Sequence, residues 1–145
     1  INNNIAESHA TMGALLAYGQ WKWLEGEREF KQAIALKPNY DTAHEYYSML
    51  LDVLGRHTEA RREIDIALQL NPHSITINQL SAIYYFRSED YEKALEKNIK
   101  NQKDFKNHPL ETTNNFRIYM MQKKYAKAIN ELKHKLESEP STQKF

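Results

Sequence analysis

The chain has 145 residues, 41% of them apolar, which is enough for one continuous core and too few for a second domain of ordinary size. Lys and Arg total 20 against 19 acidic residues, so a net charge of +1 offers no global field to attract nucleic acid or an anionic membrane. The absence of cysteine excludes disulfides, thiol catalysis and Cys-ligated metal.

The N-terminal Ile-Asn-Asn-Asn lacks an initiator Met and the basic and apolar regions of a signal peptide, so a fragment cut from a longer protein is expected. A first helix is expected over 7–20. There Ala10, Met12, Gly13, Ala14, Leu15, Leu16, Ala17 and Tyr18 leave hardly any polar face. Such a helix calls for a cover, either a missing upstream segment or a second copy docked on Met12, Leu15 and Leu16 as a homodimer. Further helices are expected over 24–37, 41–54, 58–71, 75–87, 91–104, 109–122 and 125–138. Lys37-Pro38-Asn39 and Asn71-Pro72-His73-Ser74 end one helix and cap the next, Gly55 follows a helix C-terminus, and Pro109 suits a first helical turn. The last helix sets Lys127, Asn130, Lys133, His134 and Lys135 among its apolar residues, as suits a terminal element with a wet outer face. No apolar run approaches the roughly 18 residues of a membrane span.

The elements repeat. Counting back from Pro140 in steps of 34 residues reaches Lys106, Pro72 and Pro38, with Pro109 just beyond the exception. With copies started at Glu7, Asp41, Ile75 and Pro109, position 20 is Gly26, Ala60, Ala94 and Ala128, small enough for two helix backbones to approach closely. Position 17 is Trp23, His57, Tyr91 and Tyr125, a flat ring in every copy. Position 8 is Ala14, Ser48, Ala82 and Phe116. Position 24 is Phe30, Ile64, Asn98 and Leu132, and position 27 is Ala33, Ala67, Asn101 and Lys135, so the apolar face of the second helix frays in the third copy. A stripe of Leu95, Ile99 and Phe105 would replace that face if the helix were rotated. Otherwise Asn98 and Asn101 are expected to be exposed or bonded across helices, because a buried amide without partners costs about 1–3 kcal/mol.

These positions resemble the tetratricopeptide repeat, over residues 7 to 140. The resemblance implies an all-α fold: a right-handed α-α solenoid of four TPR-like helix-turn-helix repeats, at about 7–40, 41–74, 75–108 and 109–140. Residues 21 to 78 also look like repeats found beside effector domains in bacterial winged-helix regulators and adenylate-cyclase-type signalling proteins. The family's first helices line a concave groove, which implies a protein or peptide partner held by Leu15, Tyr18, Met49, Asp52, Ile83, Phe86, Arg87, Arg117 and Met120. Some members grip a C-terminal carboxylate through Lys, Asn and Arg; Thr11, Leu15, Tyr46, Thr76 and Leu80 stand at those places here, so that clamp does not carry over. The resemblance implies a scaffold rather than an enzyme. A cytoplasmic setting is expected, or a periplasmic one if the parent chain has an upstream span.

The residues themselves carry no catalytic constellation. His9, His44, His57, His73, His108 and His134 are spread along the chain without metal-ligand spacing, and no phosphate-binding glycine loop exists, so no cofactor or metal is expected. A sensory pocket for a small ligand between helices is a weaker alternative. Lys93, Lys97, Lys100 and Lys103 share a helix face, but Glu89 and Glu96 stand four residues before Lys93 and Lys100. A solvated ion-paired face is therefore expected rather than a nucleic-acid track.

Overall fold

A computed structural model describes residues 4–106 and 115–138. The helices are α1 (Asn4–Ala14, continued by a π-helical turn at Leu15–Gly19), α2 (Trp23–Leu36), α3 (Asp41–Val53), α4 (His57–Leu70), α5 (Ile75–Arg87), α6 (Tyr91–Asp104), α7 (Asn115–Met121) and α8 (Tyr125–Ser138). Among the described residues there is no strand, and the helices pack chiefly on their sequence neighbours, as in a solenoid. The expected helix start at Pro109 lies outside the described residues.

Two local rules produce the hairpins. At position 15 the backbone turns left-handed in all four copies, at Trp21, Gly55, Glu89 and Lys123, with φ of 58°, 75°, 62° and 57°. Only Gly55 adopts that region without steric cost, so the other three are held there by the packing of the hairpins they join. At position 20, Gly26, Ala60, Ala94 and Ala128 are all buried where the two helices of a hairpin touch. Capping follows residue chemistry: the Ser74 hydroxyl accepts from the Ile77 N–H at 3.4 Å, and the Asp90 carboxylate from the Lys93 N–H at 3.4 Å.

The first hairpin departs from the others by one residue. The Lys22 N–H bonds to the Leu16 carbonyl six residues back, whereas Arg56, Asp90 and Lys124 bond five residues back, to Leu51, Tyr85 and Tyr119. The π turn thus adds one residue to α1, and everything before it is shifted. His9 Nδ1 meets Glu29 Oε2 at 2.6 Å, as His44 Nδ1 meets Glu63 Oε2 at 2.7 Å, across 20 and 19 residues respectively. Gly13, not Ala14, therefore takes position 8 of the first copy. A Cβ on Gly13 would lie 2.7 Å from the Phe30 ring, and one on Gly26 would lie 2.8 Å from Ala17 Cβ.

Consecutive repeats are joined through position 7. The Tyr47 hydroxyl donates to Glu27 Oε1 at 2.8 Å, Ser81 Oγ to Asp65 at 3.5 Å, and Asn115 Nδ2 to Gln102 Oε1 at 3.5 Å. Positions 21 and 16 add an ion pair whose polarity reverses. Glu27 faces Arg56, with Nη1 at 2.9 Å from Oε1, and Arg61 faces Asp90 at 4.0 Å. Burial pushes the Glu27 carboxyl up, but hydrogen bonds from Lys31, Tyr47 and Arg56 outweigh it and hold the group at about 2. Swapped partners would set like charges together, so the reversal fixes the order of repeats.

The third repeat is not rotated. Asn101 stays buried at position 27, its amide donating to the Asn78 carbonyl at 3.1 Å, while Ile99 is exposed. The polar residue is accommodated by a bond across helices, and the stripe does not form a substitute buried face: Leu95 and Phe105 are half-buried and Ile99 is exposed. The lysine face is ion-paired, but with other partners than spacing indicates. Lys93 meets Asp90 at 3.7 Å and Lys100 meets Asp104 at 3.7 Å, while Lys93 and Lys97 lie 5.6 and 4.9 Å from the centre of the Tyr85 ring. Finally, α8 is not simply wet: Lys135 is exposed, but so are Ile129, Leu132 and Leu136.

Candidate functional site: a groove with a side cavity

The first helices of successive repeats bring Ile83, Phe86 and Arg87 of α5 beside Arg117 of α7. Together with Ala82, Asn98 and Ile118 they line a cavity of about 200 Å³. Its origin is compositional. Position 24 is filled by the wholly buried Phe30 and Ile64 in the first two repeats, and by the shorter amide Asn98 in the third. The missing apolar volume leaves a hollow between α5, α6 and α7. Asn98 and Ile118 are thus site residues that groove positions alone do not reveal; the signal in the sequence was the polar substitution at position 24.

Electrostatics divides the two arginines. Arg87 pairs with the buried Asp52 carboxylate, which also meets His57 Nδ1 at 3.0 Å, so its charge is matched within the protein. Arg117 stacks on the Phe86 ring with its guanidinium carbon 5.6 Å from the centroid, leaving a cation at the rim of an apolar hollow. Phe86 also packs against Tyr91, ring centres 5.7 Å apart. The lining therefore combines an apolar floor, one amide and two guanidinium groups, one of them stacked on an aromatic face.

The remaining predicted groove residues do not join the cavity. Met49 is half-buried and Met120 exposed, on the same line of first helices but outside the hollow. Tyr18 is half-buried against the core and its hydroxyl donates to the Tyr46 carbonyl at 2.6 Å. Burial raises the pKa of that hydroxyl, so it remains a neutral donor. Asp52 is likewise engaged, with Arg87 and His57. Both side chains sit at groove positions but have their polar atoms committed to the scaffold.

Leu15 is displaced by the π turn. The one-residue shift moves it from the line of Met49 and Ile83 to the place of Leu50, Tyr84 and Ile118, all buried in their own repeats. It is 52% exposed and lines, with Glu7, Ser8, Thr11 and Met12, an open hollow of about 420 Å³ on the end face of the solenoid. Leu16 is half-buried. Among the described residues no group of three or more His, Asp or Glu gathers as a metal site would require, and no helix is long and apolar enough to cross a membrane.

No family model matches the sequence, and no curated protein sequence matches it. Solved structures do match the fold. MamA from Desulfovibrio magneticus RS-1 superimposes with a TM-score of 0.82 at 17% identity, over 96% of this chain and 78% of that one. The first TPR of Spaghetti, bound to an HSP90 peptide, gives 0.70 at 13% identity over 90% and 97%. The TPR2B domain of yeast Sti1, in complex with pHsp70, gives 0.66 at 16% identity over 87% and 97%. The chain is therefore an all-helical repeat solenoid of TPR-like fold.

Proposed function

We propose that this chain is a protein-interaction module that takes an amphipathic helix or extended segment of a partner along its concave groove. The cavity at the third repeat carries the reading. A hollow of about 200 Å³ floored by Ile83, Phe86 and Ile118 seats one apolar anchor, and Arg117 at its rim favours an acidic residue beside that anchor. Two structural neighbours are TPR domains solved with peptides or partner segments, which supports the same use of the fold. The narrower likeness of residues 21 to 78 leads us to place the module beside an effector domain in a bacterial signalling or regulatory protein.

A displayed library of random peptides tests the groove directly. Retained peptides are expected to share an apolar residue next to Asp or Glu. Their affinity should fall at least about tenfold with Ile83→Asp or Met120→Asp and hold with Leu16→Asp. Peptides retained with no dependence on Ile83 or Met120 would overturn the proposal.

A further inference from the structure

The cavity between α5, α6 and α7 carries more polar chemistry than a seat for one apolar side chain needs. Of its polar lining, Arg87 is matched by the buried Asp52 carboxylate. Two groups are left over. The Asn98 amide has no hydrogen-bond partner among the described residues, whereas the amides of Asn78 and Asn101 both donate to backbone carbonyls. Arg117 stacks on Phe86, and no carboxylate of the described residues pairs with its guanidinium. A free amide in the wall and an unmatched cation at the rim, over a floor of Ile83, Phe86 and Ile118, complement a flat apolar body that carries one negative charge. Volume sets the size of that body. Elsewhere an apolar cavity of about 150 Å³ takes benzene. A hollow of about 200 Å³ therefore has room for one ring and a short polar arm.

We infer that this cavity is a binding site for a small monocarboxylic acid with an aromatic ring, a free molecule that regulates the groove. Its ring lies on Ile83, Phe86 and Ile118, and Arg117 and Asn98 hold its carboxylate. The single unmatched guanidinium selects a monoanion. A second negative charge would enter an apolar hollow with no cation left to meet it, and that is costly. A peptide's apolar anchor needs the same space, so the acid and a groove-bound segment exclude one another. This exclusion rests on the proposed use of the groove; binding of the acid does not.

Titration of the full chain with phenylacetate, followed by ligand-observed NMR, tests the site. Saturable binding with a Kd below about 1 mM is expected. Phenethyl alcohol and phenethylamine present the same ring without the negative charge, and should bind at least about tenfold more weakly. Arg117→Gln and Asn98→Leu should each weaken phenylacetate at least about tenfold, with an unchanged helical circular dichroism spectrum, and Arg117→Lys should restore part of the loss. Met120→Ala, on the groove line but outside the hollow, should leave phenylacetate binding within about twofold while weakening a groove-bound peptide. A labelled peptide retained by the groove should be released as phenylacetate is added. Binding that does not saturate by about 10 mM overturns the inference, and so does an alcohol that binds as tightly as the acid or an affinity indifferent to Arg117→Gln. A peptide that stays bound at saturating phenylacetate overturns it as well. If no peptide is retained at all, the proposed use of the groove falls, and the phenylacetate titration still decides the cavity.

Discussion

The first two repeats and the third solve the same packing problem with different side chains. In the first two, Phe30 and Ile64 fill position 24 and Ala33 and Ala67 fill position 27, all wholly buried, and a carboxylate held by three donors locks the joint at Glu27. In the third, Asn98 leaves a cavity and the buried Asn101 bonds across to the Asn78 carbonyl. A solenoid tolerates this because each repeat contacts only its neighbours, so a loosely filled joint does not unseat a tight one elsewhere. With the function proposed above, the difference amounts to a division of labour, in which the tightly packed N-terminal repeats supply stability and the incompletely packed third repeat supplies the proposed seat for a partner.

The largest effect that would break this contrast comes from Phe30, which packs against Tyr18, Tyr46 and Tyr47 and closes on Gly13. Phe30→Ala should cost about 3–5 kcal/mol, read as a drop in the urea midpoint, because the rigid helices around it cannot collapse into the void. Leu132→Ala, at the same repeat position but part-exposed, should cost only about 1 kcal/mol. Equal losses at the two sites would refute the division. Next in size is Arg56→Ala, which removes the guanidinium whose Nη1 reaches both oxygens of buried Glu27 and should cost about 1–3 kcal/mol. The reversed pair is more exposed and longer, so Arg61→Ala should stay within about 1 kcal/mol.

Much of this contrast was legible in the sequence, and what was not has physical reasons. The period of 34, the small residues at position 20 and the polar intrusion at 98 and 101 are matters of residue type at fixed spacing, which survive without coordinates. The π turn was hidden because Ala10, Gly13, Ala14 and Ala17 are all small, so the helix reads equally well in either register. Three of the four left-handed turn residues, Trp21, Glu89 and Lys123, carry no compositional mark, since packing imposes that conformation on them. Tyr18 and Asp52 looked like groove residues because position says where a side chain sits. It does not say whether the hydroxyl or carboxylate is already engaged, as both are here.

A gain rather than a loss would sharpen the contrast at position 24. Asn98→Leu restores the apolar residue type of the first two repeats and fills part of the hollow. It should raise stability by about 1 kcal/mol by urea denaturation while weakening a groove-bound peptide at least about tenfold. Stabilisation without loss of binding would show that the cavity is a packing fault and not a seat for an anchor.

The smallest expected effect is a dependence on pH confined to the second repeat. His44 and Asn78 occupy position 4 of successive repeats, and each donates to the carbonyl of the proline at the end of the preceding one, Pro38 at 2.9 Å and Pro72 at 2.9 Å. His44 also holds Glu63 at 2.7 Å through its other nitrogen. Both partners are acceptors, so both bonds together require the doubly protonated ring. Burial opposes that charge, but the hydrogen bonds to Glu63 and Pro38 and the charges of Glu63 and Asp41 outweigh it, raising the pKa above its ordinary 6.5. A raised folded-state pKa stabilises the protein fully below 6.5, and that stabilisation is lost as pH rises through the folded value. Amide hydrogen exchange should therefore show the α3–α4 hairpin opening more readily as pH is raised from 6 to 9, after correction for the intrinsic rate, with α5 and α6 changing less. His44→Asn keeps the bond to Pro38 and discards the titrating group, as Asn78 does naturally, so it should flatten the profile; a profile unchanged by that substitution would place the pH dependence elsewhere.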